Sequence, residues 1–157
     1  MVSLAESPVT AQDVARGVSR LLWRAGITTL TEVPLANGRR ADVLGLGSDG
    51  RLTLVEVKVS LADLRGDLKW PEYLDYCDRY FWAVPAGFPL ADFSEPWFRP
   101  DRAGLIAGDR WDAAELRPAA WLPMPAGRRK SETLRFARRA AQRLLSLSDP
   151  GALLEPG

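Results

Sequence analysis

The 157-residue chain contains no histidine, and Cys77 is its one cysteine. Zinc fingers, His-ligated zinc and Ser-His-Asp chemistry are therefore excluded, and any metal must sit on oxygen ligands, which points to a hard cation such as Mg2+ or Mn2+. No apolar run approaches the roughly 18 residues that a membrane span requires, so no membrane partner is expected. Met1 to Thr10 lacks the basic start, apolar stretch and small-residue cleavage site of a signal peptide, and with a lone cysteine the expected compartment is a reducing cytoplasm. Without a histidine to activate it, Cys77 reads as a small core residue rather than a nucleophile.

What is present is a globular composition, 46% hydrophobic and 26% charged, enough for one domain over residues 1–157 with a tail fraying from Asp149. The net charge of +1 hides an asymmetry: the segment from Arg128 to Arg143 carries seven cationic side chains against Glu132 alone. Arg16, Arg20 and Arg24 form a second basic stripe, spaced to share one face of a helix. With Arg40, Arg128, Arg129 and Lys130 they are candidate nucleic-acid contacts. Solvated helix faces are the plainer explanation of each stripe taken alone.

The spacing of Val14, Val18, Leu21 and Ala25 after a capping-box-like Thr10/Asp13 predicts a helix that Gly26 stops, with its arginines pointing away from the core. Strand-like stretches follow at Thr31–Ala36, Arg40–Leu46 and Leu52–Val59, separated by Asn37-Gly38 and Asp49-Gly50, the strongest short hairpin signals. They predict a three-stranded antiparallel meander. A helix from Leu61 to about Trp70, ended or kinked by Pro71, and a buried strand at Tyr80–Val84 come next. Gly104–Ala107 and Glu115–Arg117 are candidates for a small hairpin. The last helix is expected over Ser131–Leu147 with Leu134, Ala137, Ala141 and Leu144 inward.

The third strand is apolar on both faces in its first half, as a central strand is, yet Glu56 and Lys58 interrupt it. Burying such ions costs several kcal/mol each, on the order of what poor geometry fails to repay, so stability alone favours leucine there. The second strand has the same anomaly at Asp42. If the intervening loop is Ser48 to Gly50, Asp42 falls directly opposite Glu56 on one face; a two-residue loop would put it opposite Val57 on the wrong face. Facing carboxylates repel unless a cation lies between them, and Lys58, two residues along, completes a set suited to phosphodiester hydrolysis. The plainer alternative is an ion pair of Glu56 and Lys58 at a wet strand end, with Asp42 capping a turn.

Asp42, thirteen intervening residues, and then Glu56-Val57-Lys58 in a hairpin flanked by helices resembles the PD-(D/E)xK nuclease superfamily. The longer pattern, Arg39-Arg40-Ala41-Asp42-Val43, Glu56-Val57-Lys58-Val59-Ser60, Asp63-Leu64, Asp67-Leu68-Lys69-Trp70, Tyr73, Cys77-Asp78-Arg79 and Tyr80-Phe81-Trp82-Ala83-Val84-Pro85, resembles the bacterial MmcB-like DNA repair proteins. The resemblance covers most of the chain. It implies an α/β (α+β mixed-sheet), restriction-endonuclease-like αβββαβ core with helices packed on the sheet, a link to DNA damage repair, and a nuclease site at Asp42, Glu56 and Lys58. Ala41 stands where the superfamily pattern has proline, a position that bears no ligand atom.

Further candidates are weaker. Glu32 is a candidate third carboxylate, but a two-residue Asn37-Gly38 turn would set Asp42 opposite Val33 and leave Glu32 on the other face. Lys69 and Tyr73 lie four apart and reach toward a phosphate if the helix continues past Pro71, with Asp67 fixing Lys69; surface salt links explain them equally. Trp97, Phe98, Trp111 and Trp121 offer stacking for unpaired bases, against core packing as the commoner role. The expected partner is DNA, with a homodimer or a repair-protein partner open. The rival functions are a non-catalytic DNA-binding module of the same fold and an adaptor.

Overall fold

The structure, a computed structural model, describes residues 8–153; most of the Met1–Thr10 segment and the last four residues of the tail lie outside the described residues. Thr10 caps the first helix, α1 (Ala11–Arg24), by accepting from the Asp13 amide while the Asp13 carboxylate accepts from the Thr10 amide, and Gly26 leaves it at a left-handed φ of 78°. The capping box and stop match expectation. Val14, Val18 and Leu22 form its buried face, with Leu21 only partly buried and Ala25 exposed.

Six strands follow: β1 (Ile27–Pro34), β2 (Arg40–Gly47), β3 (Leu52–Val57), β4 (Arg79–Pro85), β5 (Gly104–Gly108) and β6 (Ala113–Arg117). They lie in sequence order in one sheet. The first three form the antiparallel meander, β4 and β5 run parallel to β3, and β6 turns back antiparallel. The short helix α2 (Leu61–Gly66) lies on the β3–β4 crossover, so the αβββαβ order is present. Leu44, Leu54, Trp82 and Leu105 pack on one face of the sheet with Trp70, Phe93 and Phe98. Val43, Val55, Phe81 and Ile106 pack on the other with α1. Every residue of β3 is buried, as a central strand with two covered faces requires.

Several boundaries differ from expectation. The first strand begins at Ile27 because Thr28 and Thr29 pair with Leu46 and Gly45. β3 ends at Val57, and α2 ends at Gly66 rather than reaching Trp70. Past it the chain forms a 3-10 turn over Trp70–Tyr76 with Pro71 in its first turn. Asn37-Gly38 is not a two-residue turn: Leu35 N–H bonds the Arg39 carbonyl at 2.7 Å, and the buried Leu35 side chain draws a five-residue loop into the core.

The last helix, α3 (Ala126–Ser148), begins five residues earlier than expected and is turned the other way. Leu134, Ala137, Ala141 and Leu144 face solvent, whereas Glu132 and Phe136 are buried. Polar anchors fix this rotation: Arg129 pairs with the buried Asp78, and Arg143 donates to the Thr31 and Glu32 carbonyls of β1. The tail after Asp149 makes a 3-10 turn over Pro150–Leu153. Among the described residues, no helix is long and apolar enough to cross a membrane.

Candidate active site

The β2–β3 pairing runs through Val43↔Val55 and Leu44↔Leu54, the register set by a three-residue Ser48–Gly50 loop. One step further, at the ends of the two strands, stand Asp42 and Glu56. The pair is locked crosswise: the Asp42 amide donates to Glu56 Oε1 at 3.1 Å, and the Val57 amide donates to Asp42 Oδ2 at 2.8 Å. Each carboxylate is thus held by the neighbouring strand's backbone, which fixes the position of both.

Glu56 is only 5% exposed and lies beside Trp82 of β4. Burial pushes its pKa well above the usual carboxylate range, and the Asp42 charge pushes the same way, against the Asp42 amide and Lys58. Such a carboxylate lacks sufficient positive charge around it. Lys58 continues the strand direction through its amide, which bonds the Ala83 carbonyl at 2.9 Å. Its ammonium donates to Asp67 Oδ2 at 2.7 Å with both side chains largely buried. The sequence offers Asp67 as a partner for Lys69. Asp67 takes Lys58 as its charge partner and holds Lys69 only through the main-chain amide.

A cavity of about 420 Å³ opens over Asp42, Glu56, Lys58, Asp63 and Asp67. Among the described residues no three histidine, cysteine or acidic side chains stand together as a metal cluster. A cation here would rest on the Asp42 and Glu56 carboxylates, with water filling the remaining positions. That donor set fits Mg2+ or Mn2+, since Mg2+ is commonly held by one or two carboxylates while keeping several waters. The undercompensated, buried Glu56 supports the fit.

Glu32 requires correction. The β1–β2 register, Thr31↔Val43 and Val33↔Ala41, brings Glu32 opposite Asp42 because the hairpin loop has five residues instead of two. Its backbone is left-handed at φ 52°, a strained conformation for a non-glycine residue, and Arg143 holds its carbonyl. The Glu32 carboxylate itself is exposed and faces Arg40 at 3.8 Å.

Other expectations part company with the geometry. Tyr73 is largely buried and its hydroxyl donates to the Arg40 carbonyl at 3.0 Å, so it anchors β2 instead of reaching a phosphate. Lys69 is exposed and precedes the 3-10 turn, off any continuous helix with Tyr73. Arg20 donates to the Trp111 carbonyl and Arg24 pairs with Asp112 at 2.5 Å, so both fasten α1 to the β5–β6 turn. Arg128 lies over Tyr76 and bonds the Asp75 carbonyl, and Arg129 is committed to Asp78. Arg16 and Lys130 remain exposed. Of the aromatics, Phe98 is core, Trp97 packs edge-on against Trp70, and Trp121 lies against the guanidinium groups of Arg51 and Arg79. Cys77 is wholly buried, and burial pushes its thiol up to about 12.

No curated protein matches the chain. Among solved structures, the SPO1766 protein of unknown function from Silicibacter pomeroyi is similar at 41% identity over 94% of this chain and 95% of that one, with a TM-score of 0.80. A repair endonuclease from Pyrococcus abyssi matches 52% of this chain and 41% of its own at 21% identity and a TM-score of 0.32. SfsA of Pyrococcus furiosus in complex with Ca2+ matches 67% and 59% at 14% identity and a TM-score of 0.34. These last two likenesses are too distant to bear on activity. The match that identifies the chain is with the description of the MmcB-like DNA repair proteins, which extends over residues 3–151; the chain belongs to that family.

Proposed function

We propose that the protein hydrolyses DNA phosphodiester bonds with Mg2+ or Mn2+ during DNA repair, using Asp42, Glu56 and Lys58. The observation that carries this reading is the crosswise locking of two carboxylates at adjacent strand ends, one of them buried with too little positive charge around it, beside the Lys58 ammonium. Stability gives no reason to bury that set.

The Asp42 and Glu56 carboxylates would hold the cation, which when bound supplies charge for a phosphoryl oxygen and acidifies a coordinated water. The chain's own contribution is placement. Backbone amides keep both carboxylates from turning away, and Asp67 holds the Lys58 ammonium at the cavity wall, where it offsets negative charge gathering on the phosphate as water attacks.

The test is cleavage of labelled single-stranded, duplex and branched DNA with Mg2+, Mn2+ or EDTA. Glu56→Ala and Lys58→Ala should each lower metal-dependent cutting by about a hundredfold or more, the scale at which electrostatic groups act. The second reading, a non-catalytic DNA-binding module, draws on the exposed arginines of α3 and on the lack, among the described residues, of a third acidic side chain grouped with Asp42 and Glu56 as a metal cluster. It gains if no substrate is cut while salt-sensitive DNA binding persists unchanged in both variants.

A further inference from the structure

A second cavity, about 410 Å³ in volume, lies on the opposite side of the same strand ends, between α1 and the β1–β2 pair. Asp42 and Val57 line both cavities, so the two meet at the carboxylate pair. Its walls are small and largely apolar, with Ala11 and Ala15 on the helix side and Val57 below, and its rim carries the Gln12 amide and the Arg16 guanidinium. Arg16 differs from the other two arginines of its stripe. They are spent on the β5–β6 turn, while Arg16 lies over the Trp111 ring, 5.9 Å from its centroid, and makes no ion pair among the described residues.

Resting on the phosphodiesterase reading, we propose that this cavity receives a single unstacked nucleoside of the DNA strand whose phosphate lies at Asp42 and Glu56, so that the preferred substrate carries an unpaired nucleotide at the cut. Volume, continuity and chemistry agree on this occupant. A cavity of this size suits a small organic group. Alanine methyls and a valine accept the flat faces of a base, the Gln12 amide can donate to and accept from a base edge, and Arg16 is a cation for the flanking phosphate. A free anion is disfavoured by Asp42 and Glu32 on the same wall, and a purely apolar ligand by the charged rim. Duplex DNA would have to unstack and unpair a nucleotide to enter, whereas a single strand, gap or flap offers it already free.

The test uses the full chain carrying Glu56→Gln in EDTA, so that no strand is cut and phosphate approach needs no cation. The probes are a single-stranded oligonucleotide, its duplex, and a duplex with one unpaired 2-aminopurine, followed by anisotropy and by 2-aminopurine emission. Both unpaired probes are expected to bind roughly tenfold or more tighter than the duplex, since unstacking costs a few kcal/mol and each factor of ten is about 1.4 kcal/mol. Adding Ala11→Trp, at an exposed first-turn position, should fill the cavity and erase that preference while duplex affinity and the melting temperature stay unchanged. Gln12→Ala, which leaves the space open, should reduce the preference several-fold. Equal affinity for all three probes, no binding of any, or a preference that survives Ala11→Trp would overturn the proposal. Cutting by the wild type without an unpaired-nucleotide preference discards the cavity alone; the preference without any cutting discards the phosphodiesterase reading alone.

Discussion

Two buried carboxylates sit at opposite ends of β3, and the chain treats them differently. At the start of the strand, Asp78 is 1% exposed and fully occupied: it accepts from the Leu52 amide at 2.8 Å, from the Met124 amide at 2.9 Å, and from the Arg129 guanidinium. Burial raises its pKa, but those bonds outweigh the rise and hold it below the usual range. At the other end, Glu56 is nearly as buried, accepts one amide and faces a second carboxylate. Its pKa is driven the opposite way. A buried acid with a complete set of donors is explained by the fold, and one left short of positive charge beside a second carboxylate in a cavity is a candidate functional group.

That contrast can be broken at several points. The largest effect is expected from Asp78→Ala, which strands Arg129 and two amides and should cost about 3–5 kcal/mol in chemical denaturation. Arg129→Ala leaves the two amide bonds in place and should cost less, about 1.5–3 kcal/mol. Acid unfolding sharpens the same point through the sign of the Asp78 shift. Because its folded pKa lies below the ordinary 3.8, its contribution is complete above that value and is lost as pH falls through the lowered one. Asp78→Asn should therefore flatten that acid limb of the stability curve. Glu56→Gln belongs at the small end: it removes a buried charge facing Asp42 while keeping an acceptor for the Asp42 amide. It should leave the metal-free protein equally stable or more so, by up to about 1 kcal/mol, where a structural ion pair would have shown a loss.

The same comparison explains what could be read from the sequence. The Asp49-Gly50 signal located the second hairpin but left its register open between a three-residue and a two-residue loop; the Gly47 amide, bonding the Arg51 carbonyl across Ser48–Gly50, decides for the register that aligns Asp42 with Glu56. The first hairpin was misread because its geometry is tertiary. Leu35 enters the core, and the Asn37 amide reaches the Glu72 carbonyl, a partner no local pattern announces. Glu32 moved to the Asp42 position in consequence. In α3 the apolar spacing pointed to the wrong face, since Phe136 and the polar anchors Arg129 and Arg143 outweigh the leucines that spacing had turned inward. The basic stripes were only partly legible for a related reason: Arg20, Arg24 and Arg129 reach partners within the fold while Arg16 stays exposed, and sequence spacing does not say which guanidinium is engaged inside. The Asp67 partnership with Lys58 was missed because the helix bearing it ends early, at Gly66.

The clamp from Arg143 onto β1 has a temporal side. Glu32 and its clamp are 111 positions apart in the chain, so a growing polypeptide emits Asp42, Glu56 and Lys58 long before the residue that fastens the strand opposite them. Until the final helix emerges and docks, the nascent protein holds every candidate catalytic side chain beside an edge strand, β1, that Arg143 has not yet fastened. A fragment ending before that helix would therefore carry the motif complete in sequence and still lack the clamp that belongs to the finished site.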